Sequence, residues 1–223
     1  MEHADILLAL AGIFGFYMAW NIGANDVANA MGTSVGSGAL TLRRAVIVAA
    51  VLEFSGAFFA GSSVSETVRK GIIDTDLFSA DPTAFICGML AALLAAGAWL
   101  QIASYFGWPV STTHSIVGAI IGFGMLYGGI EAVHWPKVWQ ILSSWIISPL
   151  LSASIAYITF RLLLKNIFFK SNPLAATKRL APLLAFIVMT ILTLTMVFKG
   201  LKNLKLDLTF GPAVSLAMGV GII

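Results

Sequence analysis

Seven apolar runs divide the chain, near residues 5–30, 44–63, 84–104, 116–130, 138–160, 180–198 and from 209 onward, with short polar stretches between them. Runs of about 18 or more residues with few charges are what a bilayer core about 30 Å thick selects. The pattern therefore predicts an all-α polytopic membrane protein, with residues 1–223 forming one transmembrane domain. Two stretches do not fit ordinary spans. Residues 5–40 are almost wholly apolar, small or hydroxyl-bearing, and a single helix of that length would measure about 54 Å at 1.5 Å per residue. Glycines at 23, 32, 36 and 38, with polar groups between them, predict a broken helix whose freed carbonyls and amides line a wet cavity. The second stretch is YFGWPVSTTHSIVGAIIGFG, Tyr105 to Gly124. The apolar run at 116–130 is short for a crossing unless the hydroxyl-rich stretch also enters the membrane, which predicts a re-entrant hairpin.

Composition supports a membrane protein. Hydrophobic residues make up 59% of the 223 and charged ones 10%, with a mean hydropathy of +0.93, which excludes an ordinary water-soluble domain. The net charge of +3 does not point to nucleic acid, because the basic residues gather between apolar runs, where they set topology. Arg43 and Arg44 follow the first run, and Arg161, Lys165, Lys170, Lys178 and Arg179 follow the fifth. Both loops are expected in the cytoplasm and the N-terminus outside. The segment holding Glu66, Asp74, Asp76 and Asp81 then faces outward, and Lys199, Lys202 and Lys205 fit the scheme poorly. The opening MEHADILL lacks the basic start of a signal peptide, so the first run is expected to remain in the mature chain. Cys87, the one cysteine, is expected to be a small buried hydrophobe.

The polar residues in the oily stretches carry the chemistry. In NIGANDVANAMGTSVGSG, residues 21–38, Asn25 and Asn29 are four apart and share a helix face, with Asp26 turned about 100° away. A carboxylate with amide and backbone oxygens suits a small hard cation such as sodium. Around residue 110, Pro109 lacks an amide hydrogen, and Ser111, Thr112 and Thr113 are good helix N-caps. A helix starting there offers free amides, hydroxyls and a positive dipole end to an anion, and capping uses the same geometry. His114 is a further candidate beside them. Glu53 stands near the middle of the second run, where an acid costs about 2.5–3.5 kcal/mol on insertion scales and usually faces a pathway.

The stretches GANDVANAMGTSVGSGALT and PVSTTHSIVGAIIG resemble the two signatures of the inorganic phosphate transporter family, and LEFSGAFFAG and KRLAPLLAF are similar to it as well. The resemblance covers nearly the whole chain. It implies a secondary symporter of inverted repeats, with inorganic phosphate and sodium or protons as cargo and no cofactor. It further implies phosphate at Ser111, Thr112 and Thr113, a cation at Asn25, Asp26 and Asn29, and coupling through Glu53. No second aspartate signature occurs, so the chain is similar to an N-terminal half whose site needs the other repeat. A multi-pass position in a cell membrane, of the bacterial inner-membrane kind, is expected, and a second copy is carried as a candidate partner.

Charge balance agrees. A phosphate group carries about 1.5–2 negative charges near neutral pH, so Asp26 beside it calls for a bound cation. Moving one charge against 100 mV costs about 2.3 kcal/mol, so an anion entering a negative interior needs cations with it. Another oxyanion or a metal–phosphate complex is the alternative cargo. An intramembrane hydrolase using Ser111 and His114 would need the base within reach of the nucleophile, and no GxSxG elbow is present. No GxxxxGK phosphate loop occurs either, so ATP is not expected to drive the protein directly. The expected class is a transporter and not an enzyme.

Overall fold

The structure is a computed structural model and describes residues 4–200 and 208–222, without the side chains of 59, 60, 62–70, 199 and 200. Lys202 and Lys205, and the side chains of Glu66 and Lys199, lie outside the described residues. Among the described residues seven α-helices follow one another: α1 Ala4–Gly36, α2 Leu42–Gly71, α3 Pro82–Tyr105, α4 Thr112–Gly128, α5 Trp135–Leu163, α6 Pro173–Thr195 and α7 Phe210–Ile222. Each grows from an apolar run, and four begin at a side-chain cap of the expected type. Thr41 accepts from the Arg44 amide, Asp81 from Ala84, Ser111 from His114 and Asn172 from Ala175. Among the described residues four helical stretches, Ala4–Gly36, Pro82–Tyr105, Trp135–Phe168 and Pro173–Phe198, are long and apolar enough to cross a membrane, so the chain is that of a membrane protein.

The expected break in the first helix is absent. α1 runs as one 33-residue helix through Gly23 and Gly32. An isolated glycine costs about 1 kcal/mol against alanine, which Ala24, Ala28, Ala30 and Met31 around it offset. Keeping every amide bonded inside the helix is worth more at membrane depth. The helix stops where Gly38 takes φ +75°, a conformation glycine adopts without a Cβ penalty.

The described residues form two compact units. In the first, Met1–Ser55 with Ser65–Val138, α3 and α4 make a helical hairpin that packs on α1 through Met18, Ala96 and Leu100, with Ile22, Leu93, Val110 and Ile116 around them. Small residues let these backbones approach closely. Gly97 of α3 lies against Tyr17 of α1, and Gly88 lies under the Phe123 ring of α4. Phe123 is held in turn by Phe78, at 5.5 Å between centroids, and Tyr127, at 6.2 Å. The feet of the hairpin are clasped where an isolated antiparallel bridge pairs Ile73 with Val133. The Asp74 amide donates to the Ala132 carbonyl, and the His134 amide to that of Ile72, both at 2.9 Å. A Cβ on Gly88 would overlap the wedged Phe123 ring. Gly88→Ala is therefore expected to destabilise the hairpin by about 1–3 kcal/mol, measured as a lower unfolding temperature in detergent; an unchanged temperature would contradict this packing.

In the second unit, Gly56–Val64 with Trp139–Ile223, α6 packs on α7, whose Gly221 meets Thr190 and the Phe186 carbonyl. Hydroxyls along the apolar helices turn back on their own turns: Ser143 donates to the Trp139 carbonyl, Ser154 to Leu150 and Thr195 to Ile191. These three are satisfied locally, whereas the Thr190 hydroxyl is buried without a hydrogen-bond partner among the described residues. Ile155, Phe160, Val188 and Ile191 are all more than half exposed, as suits side chains facing lipid. Cys87, expected to be buried, is instead exposed on α3, where the lipid-facing side of a membrane helix accepts a small apolar group as readily as a core does.

Candidate functional site

The turn between α3 and α4 presents the hydroxyl-rich motif, and local backbone rules decide where it goes. α3 ends in a Schellman arrangement, with the Gly107 amide donating to the Ser104 carbonyl at 3.2 Å and the Trp108 amide to the Ala103 carbonyl at 2.8 Å. Gly107 carries φ +68°. Pro109 follows, which cannot continue a helix, and the chain re-enters helix at Thr112 with Ser111 as its cap, its hydroxyl 3.3 Å from the His114 amide. These steps leave the Trp108 carbonyl facing α1, and the Asn25 amide donates to it at 3.1 Å. The same amide group reaches the Ser104 hydroxyl at 3.5 Å. Asn29 donates to the Asn25 side-chain oxygen at 3.3 Å.

The contact that joins the two motifs lies beside these. The Thr112 hydroxyl donates to a carboxylate oxygen of Asp26 at 3.2 Å, across 86 positions of sequence. Asp26 and Thr112 are half-buried, and Asn25 is 6% exposed. A buried amide at this depth is costly without partners, and hydrogen bonds between membrane helices contribute about 0.6–2 kcal/mol each. The result is a polar seam through an apolar interface, with the carboxylate at one edge and the start of α4 at the other. The first-turn amides of Thr112 and Thr113 have no partner within their helix, as at any helix start.

Of the residues expected from sequence, the structure thus brings together Asn25, Asp26, Asn29 and Thr112, and places Ser111 beside them as the cap. The Thr112 hydroxyl donates its hydrogen bond to Asp26, so it belongs with that carboxylate as much as with a bound anion. Thr113 and His114 are exposed on the first turn of α4. Glu53 is exposed on α2, with no hydrogen bond or ion pair to this cluster among the described residues. Three participants were not anticipated. Asn21 is 1% exposed and donates to the Tyr17 carbonyl at 2.9 Å; its spacing from Asn25 and Asn29, four and eight positions, is a helical stripe that sequence displays. Ser104 and the Trp108 carbonyl carry no such signal, because a small hydroxyl and a backbone oxygen are marked only by the turn that exposes them.

A profile of the phosphate transporter family matches residues 22–221. The chain belongs to the phosphate transporter family. It is 53% identical to the chloroplastic inorganic phosphate transporter 2-1 of Arabidopsis thaliana, over 78% of this chain and 30% of that protein. It is 47% identical to a putative phosphate permease of Pyrococcus furiosus, over 93% of this chain and 51% of that one. A solved structure, the sodium-dependent phosphate transporter, superposes with a TM-score of 0.86 at 39% identity, covering 97% of this chain and 52% of that one. The chain spans about half the length of the second and third of these proteins, and less of the first. The motifs described above lie within the matched segment.

Proposed function

We propose that the transporter containing this chain carries inorganic phosphate across the membrane together with sodium. The observation that carries this reading is the Thr112–Asp26 hydrogen bond, which sets a helix start suited to an anion against a carboxylate suited to a cation. Asp26 and the oxygens of Asn25 and Asn29 would ligate sodium as cargo, with Thr112 at the boundary. Ser111, Thr113 and the first-turn amides of α4 would hold phosphate, and bound sodium would screen Asp26 from it. The matched solved structure is a sodium-dependent phosphate transporter, which favours sodium over protons here.

The same geometry supports a re-entrant reading of α3 and α4. Their tip meets α1 at Asn25 and Asp26, about ten residues and roughly 16 Å of helix before α1 ends, and α4 has only 17 residues. A second, inverted repeat would complete the site from the other side, with Glu53 coupling movement of the hairpin to the cation. Radiolabelled phosphate uptake into proteoliposomes, with sodium and pH gradients imposed separately on the complete transporter, tests the proposal. Sodium-driven uptake is expected; uptake driven only by the pH gradient would overturn the choice of ion, and no phosphate uptake from folded protein would overturn the cargo.

A further inference from the structure

The turn between α5 and α6 gathers basic, amide and hydroxyl side chains, in the other unit from the Asp26 cluster. α5 passes into one turn of π-helix at Leu164–Phe168, and the chain reverses through Ser171 and Asn172 into α6, capped by Asn172 and opened by Pro173. The reversal borders an open cavity of about 410 Å³ lined by Asn166, Lys170, Ser171, Asn172 and Arg179, with Ala175, Ala176 and Leu180 as its apolar wall. Both cations are exposed. Asn166 and Asn172 are pinned by bonds to the Leu162 carbonyl and the Ala175 amide, at 2.8 and 3.0 Å, which fixes the polar rim.

No counter-charge exists nearby in the chain. Between Glu131 and Asp207 there is no aspartate or glutamate, yet that interval holds Lys137, Arg161, Lys165, Lys170, Lys178, Arg179, Lys199, Lys202 and Lys205. This segment itself supplies no carboxylate to pair with Lys170 and Arg179. Two spans long enough to cross a membrane, Trp135–Phe168 and Pro173–Phe198, meet at this reversal, so the cavity lies at the membrane interface. Phe168, Phe169 and Leu174 beside it are 61%, 78% and 68% exposed, an apolar apron for acyl chains. Basic pockets between membrane helices suit lipid head groups, and lysines and arginines near an anionic surface are attracted to it.

We propose that this cavity binds a phosphate-group anion, held by Lys170 and Arg179, whose source is the head group of an anionic phospholipid. It is separate from the transport site and goes beyond the proposed transport function. Native mass spectrometry of the intact protein, given phosphatidylglycerol or phosphatidylcholine, provides the test. Wild-type protein is expected to retain phosphatidylglycerol at least tenfold more than phosphatidylcholine. The Lys170→Gln/Arg179→Gln protein should lose that preference, while Lys178→Gln, outside the cavity, keeps it. A parallel titration of inorganic phosphate into Asp26→Asn protein in zwitterionic detergent distinguishes the free anion. Saturable binding there that the double substitution removes would assign the cavity to free phosphate. If neither lipid retention nor phosphate binding responds to the double substitution, or if Lys178→Gln has the same effect, there is no such site.

Discussion

Asp26→Asn is expected to lower sodium-driven phosphate uptake at least 100-fold while leaving the fold intact. Asparagine keeps an oxygen that can accept from Thr112, so the 3.2 Å link between α1 and α4 survives the exchange. What disappears is the negative charge. A hard cation among neutral amides loses its strongest ligand, and phosphate, with about 1.5–2 negative charges, loses the partner that lets it enter a negative interior. A 100-fold loss corresponds to about 2.8 kcal/mol at 1.4 kcal/mol per tenfold. The measurement is initial uptake rate in proteoliposomes at matched protein density, with unfolding temperature as the control. Wild-type rates from Asp26→Asn would remove the carboxylate from the mechanism.

Thr112→Val tests the link itself. Valine matches threonine in shape but donates nothing, so one Asp26 oxygen loses its partner and the start of α4 loses its tether to α1. An unsatisfied group of this kind costs about 1–3 kcal/mol, so an uptake rate about 10- to 100-fold lower is expected, at 1.4 kcal/mol per tenfold. Thr112→Ser restores the hydroxyl and should recover most of the rate. Equal rates for Thr112→Val and the unaltered protein would mean that the hydrogen bond plays no part in transport. Equal losses in Thr112→Val and Thr112→Ser would point to shape instead of the hydroxyl.

The helices were legible because membrane solvation is a strict reader of sequence: an apolar run becomes a helix, and each predicted run lies largely within one. The unbroken course of α1 was not legible. Gly23 and Gly32 look like breaks when counted, but a bilayer penalises an unwound backbone more than it penalises glycine. Asn25, Asp26 and Asn29 stood out because polar side chains in an apolar run need partners, whereas the identity of those partners depends on tertiary geometry. The Trp108 carbonyl becomes available only because Gly107 takes a left-handed turn and Pro109 ends the helix. Glu53 was conspicuous for the same reason as Asp26, yet it stands exposed on α2, and nothing in its local pattern says which helix should meet it.

The clasp between Ile73 and Val133 has a bearing on biosynthesis. Its two residues flank the whole of α3 and α4, so the bridge cannot form until the ribosome has made the residues beyond α4. Until then α3 and α4 are both made, and Phe123 can already pack over Gly88, but the foot of the hairpin is open. A chain stalled before Val133 would therefore lack the bridge and the two backbone bonds that tie the start of α3 to the end of α4.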